Sequence, residues 1–191
     1  MTIILENSRV KLAPLKAEHY KVLWPIAKQM DLHAYGANDV STVQKLKEYI
    51  RVALKEKELQ ISIPYIIYDQ ETKVVVGSTR FGKIDSKNRT LHIGWTWISP
   101  TVQGTGFNHH MKFLMLRYAF ETLKFNKVEF RIDERNIISR KAVEKLGARL
   151  EGTLRKNMIV KNGFRRSTCC YGILSEEWPE LKTTNFKGIE F

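Results

Sequence analysis

Ile93-Gly-Trp-Thr-Trp-Ile-Ser-Pro-Thr-Val-Gln-Gly-Thr-Gly-Phe-Asn108 is the stretch that decides the fold. A β-branched and aromatic run ends at Pro100, passes through Gln103-Gly104-Thr105-Gly106 and enters an apolar helical pattern, so it reads as strand, glycine loop and helix. Glycines at 104 and 106 let the backbone approach a ligand closely. The first N–H groups of the following helix lie at the positive end of its dipole, which suits a pyrophosphate. Two phosphate motifs fail here. A Walker loop needs GxxxxGK[ST], and the dinucleotide fingerprint GxGxxG meets His109 where its third glycine belongs. Neither an ATPase nor a dehydrogenase is supported. On spacing alone a Gly-x-Gly turn before a helix is more often a tight turn, so its neighbours must decide.

Working outward, Thr90–Ser99 is the last of three strands, after Ile61–Tyr68 and Val74–Ile84, with turns at Asp69–Lys73 and Asp85–Arg89. An antiparallel meander follows. Upstream, Arg9–Leu12 reads as a short strand stopped by Pro14, Ala17–Met30 as a helix and Asp31–Asn38 as a loop. Ser41 or Thr42 caps a second helix, with Val43, Leu46, Ile50 and Leu54 on one face and Lys45, Lys47, Lys55 and Lys57 toward water. Downstream, Phe107, Met111, Leu114 and Tyr118 mark one face of the next helix and Phe113, Leu116 and Phe120 a second, so that helix is buried. Lys127–Ile132 is a strand, Ser139–Leu146 a helix ended by Gly147, and Arg149–Val160 and Ser167–Leu174 pair around Asn162-Gly163. The order is β-α-α-β-β-β-α-β-α-β-β.

The 191 residues are 43% hydrophobic and 10% aromatic, which fits one domain with a sizeable core and argues against global disorder. The expectation is a single domain over residues 1–191, with a tail from about 179 to 191. No run approaches the roughly 18 to 20 uncharged apolar residues of a spanning helix. The first residues lack the basic and long apolar regions of a signal peptide, so the expected location is cytoplasmic and no membrane partner is expected. Cys169 and Cys170 are adjacent and point to opposite faces of a strand, which excludes a disulfide scaffold. They read as buried strand residues rather than nucleophiles. Five histidines and two cysteines show no zinc-ligand spacing, so no metal is expected, and His109 and His110 read as early-helix residues near phosphate. Thirty-two Lys and Arg against twenty Asp and Glu give a net charge of +12, which favours an anionic partner without naming it.

The neighbours settle the loop. The chain resembles the GCN5-related N-acetyltransferases, and among them the branch typified by the ribosomal-protein N-terminal acetyltransferases. The acyl-CoA loop pattern [QR]-x-x-G-x-[GA] is met by Gln103, Gly104, Thr105, Gly106 and Phe107, with Asn108 in place of the final small residue. A second block, N-x-x-S-x-x-x-x-E-K-x-G, is filled at Asn136, Ser139, Glu144, Lys145 and Gly147. Arg9–Leu15, Glu151–Arg155, Gly163–Arg166 and Tyr171–Leu174 also look like this branch.

The resemblance implies an α/β (α+β) fold: a single mixed, mostly antiparallel sheet, its fourth and fifth predicted strands splayed, flanked by helices. It implies acetyl-CoA as co-substrate, no metal, and direct attack by a primary amine in a ternary complex. By that likeness the backbone of Trp95, Thr96 and Trp97 pairs with the pantetheine arm, while amides of Gly104, Thr105, Gly106, Phe107 and Asn108, after Gln103, hold the pyrophosphate. Asn136 bonds the pantetheine region, and Ser139 is the candidate donor to the CoA sulfur, with helix capping as its other reading. Members of the branch commonly have Glu directly before the Ile-Gly of the fourth strand; this chain has His92, whose neutral imidazole accepts a proton near pH 7, directly or through one water. The other reading of His92 is a surface strand histidine with no catalytic duty, and solvated charge is the plainer reading of the reserve carboxylates Asp133 and Glu134.

Three matters stay open at this level. The acceptor is a protein N-terminus, ribosomal or other, or a small amine. Ser167 stands where the branch often has Asp, which leaves specificity undecided, and the +12 charge serves CoA capture or ribosome association. The alternative from another class is a non-catalytic acyl-CoA-binding or ribosome/RNA-associated module of the same fold. On either reading the chain is expected as a monomer or homodimer.

Overall fold

The computed structural model describes residues 3–29, 35, 39–160 and 163–189. Of the sequence expectations, Asn162 of the hairpin turn and most of the Asp31–Asn38 loop lie outside them. The elements run β1 (Leu5–Glu6), β2 (Val10–Pro14), α1 (Tyr20–Ala27), α2 (Val43–Glu58), β3 (Ser62–Asp69), β4 (Val75–Asp85), β5 (Thr90–Ile98), α3 (Phe107–Arg117), β6 (Lys127–Asp133), α4 (Ile137–Glu144), β7 (Arg149–Ile159), β8 (Arg165–Leu174) and α5 (Trp178–Thr184). One eight-stranded sheet has the order β1-β2-β3-β4-β5-β6-β8-β7. Every neighbouring pair is antiparallel except β5–β6.

Period-two alternation sends consecutive residues to opposite faces of a strand, and β3 uses both faces. Tyr65 and Ile67 join the core under α3, while Ile66 joins the core under α1 and α2. The helical periods do the same from the other side. On α2 the buried residues are Leu46, Tyr49, Ile50 and Ala53, and Thr42 caps the helix by accepting the Lys45 N–H at 3.2 Å. The four lysines expected to face water are exposed. A short 3-10 turn over Ala17–His19 opens α1, which ends at Ala27 just after Pro25. Pro14, expected to stop the first strand, is instead its last residue, paired with Tyr65.

The decisive irregularity sits in the middle of the sheet. β5 and β6 pair at Thr90–Lys127, Leu91–Val128 and His92–Glu129. Beyond His92 and Glu129 they diverge, each continuing as a strand, so the sheet opens into a V between the predicted fourth and fifth strands. On its other side β5 is bulged: Ser78 pairs with Trp97 and Arg80 with Gly94, so Thr79 faces two residues. Trp95, one of those two, takes φ +50. Its ring lies across Gly82, where an added Cβ would fall 2.3 Å from the ring, and the Arg80 guanidinium covers it at 3.9 Å.

Three features lie beyond the sequence expectations. β1 is a two-residue strand, too short for any period to show. The last turn before Leu123 is a π-helical turn over Tyr118–Thr122. The stretch read as tail contains α5, whose seven residues span two turns and carry Pro179 in the first. Trp178 and Phe186 close an aromatic cluster with Phe113 and Phe120 there.

Candidate active site

The V and the loop at its upper end form one site. Gly104 and Gly106 have φ +75 and +82, the left-handed region that glycine enters without strain, and Gly106 caps α3. A Cβ built at either position meets nothing within 4 Å, so the loop is open around both glycines. Thr105 Oγ1 donates to the Val102 carbonyl at 2.9 Å and Gln103 Nε2 to the Ile98 carbonyl at 3.0 Å, which ties the loop to the end of β5. Among the described residues the N–H groups of Gly104 through Asn108 donate to no backbone or side-chain acceptor. An array of unpaired amides around two αL glycines at a helix start is the geometry a phosphate fills. The loop is therefore shaped to take a phosphate group.

Along β5 the side chains separate by face. Trp97 is buried against Tyr49 on the α1–α2 side, and Thr96 points toward α3. The Tyr49 hydroxyl donates to the Trp95 carbonyl at 3.3 Å, so α2 reaches the bulge directly. Thr96 Oγ1 lies 2.7 Å from Thr79 Oγ1 and accepts from Lys112 Nζ at 3.0 Å. Sequence reading did not single out Lys112. It belongs to a third buried face of α3, between the two apolar faces the spacing showed, and burial pushes its amine down to about 7.

At the crotch of the V, His92 Nε2 sits 3.0 Å from a Glu129 carboxylate oxygen. Burial lowers the imidazole below its ordinary value, with Glu129 pulling the other way and Lys83 and Arg131 adding to the fall. The ring is therefore neutral at pH 7. The carboxylate fixes the tautomer, since Nε2 then carries the hydrogen and Nδ1 keeps its lone pair. Glu129 also accepts from Arg131 at 3.0 Å and lies 3.6 Å from Lys127. Sequence reasoning missed Glu129, although its alternation with Val128 and Phe130 placed it on the polar face of the strand.

On α4, Asn136 is the N-cap, its Oδ1 accepting the Ser139 N–H at 3.0 Å. The capping role considered for Ser139 thus belongs to Asn136, and the Ser139 hydroxyl is not spent on it. Asp133 is a correction: the sequence read it as solvated charge, but it is 2% exposed and bound to Arg135 through Nε at 2.9 Å and Nη2 at 2.6 Å. Burial alone would raise its carboxyl, and the Arg135 hydrogen bonds overcome that and hold it low. Ser167 is buried and accepts the Lys156 N–H at 3.3 Å. Cys169 is buried, while Cys170 Sγ lies 3.1 Å from Arg131 on the face that carries His92 and Glu129. His109 is held by Asn185 and stacked on Phe186. Among the described residues no group of three or more His, Cys, Asp or Glu side chains could hold a metal ion, and no helix is long and apolar enough to cross a membrane.

A sheet opened at one parallel pair, with a glycine cradle at the start of the helix behind it, defines an acyltransferase type of α/β protein. The chain belongs to the acetyltransferase (GNAT) domain family, whose sequence profile matches residues 9–149. It is 30% identical over 117 residues to the "Putative ribosomal N-acetyltransferase YdaF" of Bacillus subtilis, a match spanning 61% of each chain. Among solved structures, a GCN5-related N-acetyltransferase from Brucella melitensis superposes with a TM-score of 0.90 at 25% identity, covering 100% of this chain and 86% of that one. Mycobacterium smegmatis RimJ, solved in complex with CoA-disulfide, superposes with a TM-score of 0.79 at 21% identity, covering 93% of this chain and 88% of that one. These likenesses agree with the family, branch and fold expected from the motifs.

Proposed function

We propose that the protein transfers an acetyl group from acetyl-CoA to a primary amine by direct attack in a ternary complex. The observation that carries this reading is the open amide cradle at Gly104–Asn108, tied by Gln103 to the end of β5, the strand that parts from β6 beyond His92 and Glu129. The CoA-bound mycobacterial neighbour of the same fold supports it. In this reading Gln103 holds the loop against β5, and the amides of Gly104, Thr105, Gly106, Phe107 and Asn108 take the pyrophosphate. The backbone of Trp95, Thr96 and Trp97, on the run of β5 that has left β6, takes the pantetheine, and the Asn136 side-chain amide adds a donor.

A neutral amine attacks the thioester carbonyl, a C–N bond forms, and the carbonyl oxygen gains negative charge that backbone N–H groups stabilise. His92 Nδ1, or one water it binds, removes the proton from the attacking nitrogen. The C–S bond then breaks, Ser139 donates a hydrogen bond to the departing thiolate, and the proton taken from the amine ends on that sulfur to give CoA. The acceptor is a protein N-terminus, with ribosomal proteins suggested by the name of the Bacillus relative, or a small amine. This activity goes with a cytoplasmic protein.

Titration calorimetry with acetyl-CoA, followed by thiol release against a panel of amines and N-terminal peptides, tests the reading. Binding with amine-dependent release is expected. Binding without release on every acceptor would favour the non-catalytic acyl-CoA module, and no binding would sink the assignment of the cradle.

A further inference from the structure

Lys112 is a buried amine, partly protonated near pH 7, that the mechanism above does not use. It is 5% exposed, and its buried neighbours on α3, Met111, Phe113, Leu114 and Met115, are all apolar. Among the described residues it forms no ion pair, and no charged side chain contributes to the fall in its pKa, which comes from burial alone. It donates to Thr96 Oγ1 at 3.0 Å, which lies 2.7 Å from Thr79 Oγ1 and 3.4 Å from the Gly94 carbonyl, and Thr79 Oγ1 lies 3.7 Å from Met115 Sδ, so the amine meets only neutral groups. A thioether is a weak acceptor and neutralises nothing. A methionine or leucine of similar volume would pack there without the desolvation cost of an amine.

The place of this amine is informative. Thr96 belongs to the bulged run of β5 that pairs with no residue of β6, on the wall of the V. Aminolysis of a thioester builds negative charge first on the carbonyl oxygen and then on sulfur, and a fixed positive charge in a dry site stabilises such charge without reorganising. We infer that Lys112 is a positioning residue for acetyl transfer: through Thr96 it holds a positive charge behind the open run of β5, where the thioester's developing negative charge is stabilised. This rests on the acetyl-transfer reading. The amine is costly to the resting protein and useful in the transition state, a combination found where stability is traded for activity.

Lys112→Met and Thr96→Val, each compared with wild type, test it by thiol release from pH 6 to 9.5, calorimetric acetyl-CoA affinity and thermal unfolding. Lys112→Met is expected to lower kcat by at least about tenfold while KM for acetyl-CoA stays within about twofold. Its Tm should equal or exceed that of wild type, because an unpaired buried amine has been replaced by an apolar side chain. Wild-type kcat should fall on the alkaline side as Lys112 loses its proton, and Lys112→Met should lack that limb. Thr96→Val should lower kcat in the same direction with acetyl-CoA affinity retained. Unchanged kcat in Lys112→Met would overturn the inference. So would a variant that loses Tm, acetyl-CoA affinity and kcat together, since that marks a structural role. Wild type inactive on every acceptor would count against acetyl transfer itself, whereas active wild type beside an equally active Lys112→Met counts against Lys112 alone.

Discussion

His92 is pulled in two directions, and the balance makes a pH prediction. Burial favours the neutral ring and Glu129 the charged one, with burial ahead, so the acidic limb of kcat/KM should lie below the roughly 6.5 of a free histidine. His92→Ala should flatten that limb. Glu129→Gln removes the stabilising carboxylate, so His92 takes its proton less readily and the limb should move further acid; a limb unmoved in both variants would leave a water relay as the base. The same sign governs stability. The unfolded chain binds the His92 proton more readily than the native one, so native stability falls as pH drops from about 6.5 toward the lowered value, and His92→Ala should remove that slope from Tm against pH. His92 was visible in the sequence because a motif pointed to its position. Glu129 and Lys112 were not: only the parallel register brings Glu129 opposite His92, and Lys112 is one of 32 cationic residues until burial singles it out.

At the scale of elements, the glycine loop can be disabled without unfolding the protein. The space outside Gly106 is open, so Gly106→Arg costs only the strain of a side chain at φ +82, about 1–2 kcal/mol. Calorimetry should then show acetyl-CoA binding abolished while a cooperative melt persists. α5 offers the contrasting case. Trp178 is buried among Phe113, Phe120 and Phe186, and its indole donates to Glu121 at 2.8 Å. Trp178→Ala should cost about 3–5 kcal/mol in denaturant unfolding. The sequence showed the elements whose period repeats: the meander, α2, α3 and the closing hairpin. It hid those set by tertiary contact, namely β1, α5, and the Trp95 bulge that follows from Gly82 and Arg80 on the adjacent strand.

At the scale of the whole molecule, the +12 charge gives two separable outcomes. Use on a ribosome should appear as co-sedimentation that falls steeply with modest salt, while acetylation of a small amine should change little over the same range. The architecture itself carries one more consequence. β1 to β5 form one half of the sheet and β6, β8 and β7 the other; one core runs beneath both, but within the sheet only three residue pairs of strand ladder join them. Such a seam is a natural boundary between cooperative units, so the amides of Leu91 and Val128 should exchange with solvent through a partial opening cheaper than global unfolding. A ligand bonded to both lips would act as extra rungs of that ladder, slowing exchange along the seam far more than at the outer strands. Substrate would then do for this protein what a longer strand pairing does for an ordinary sheet: make its two halves one.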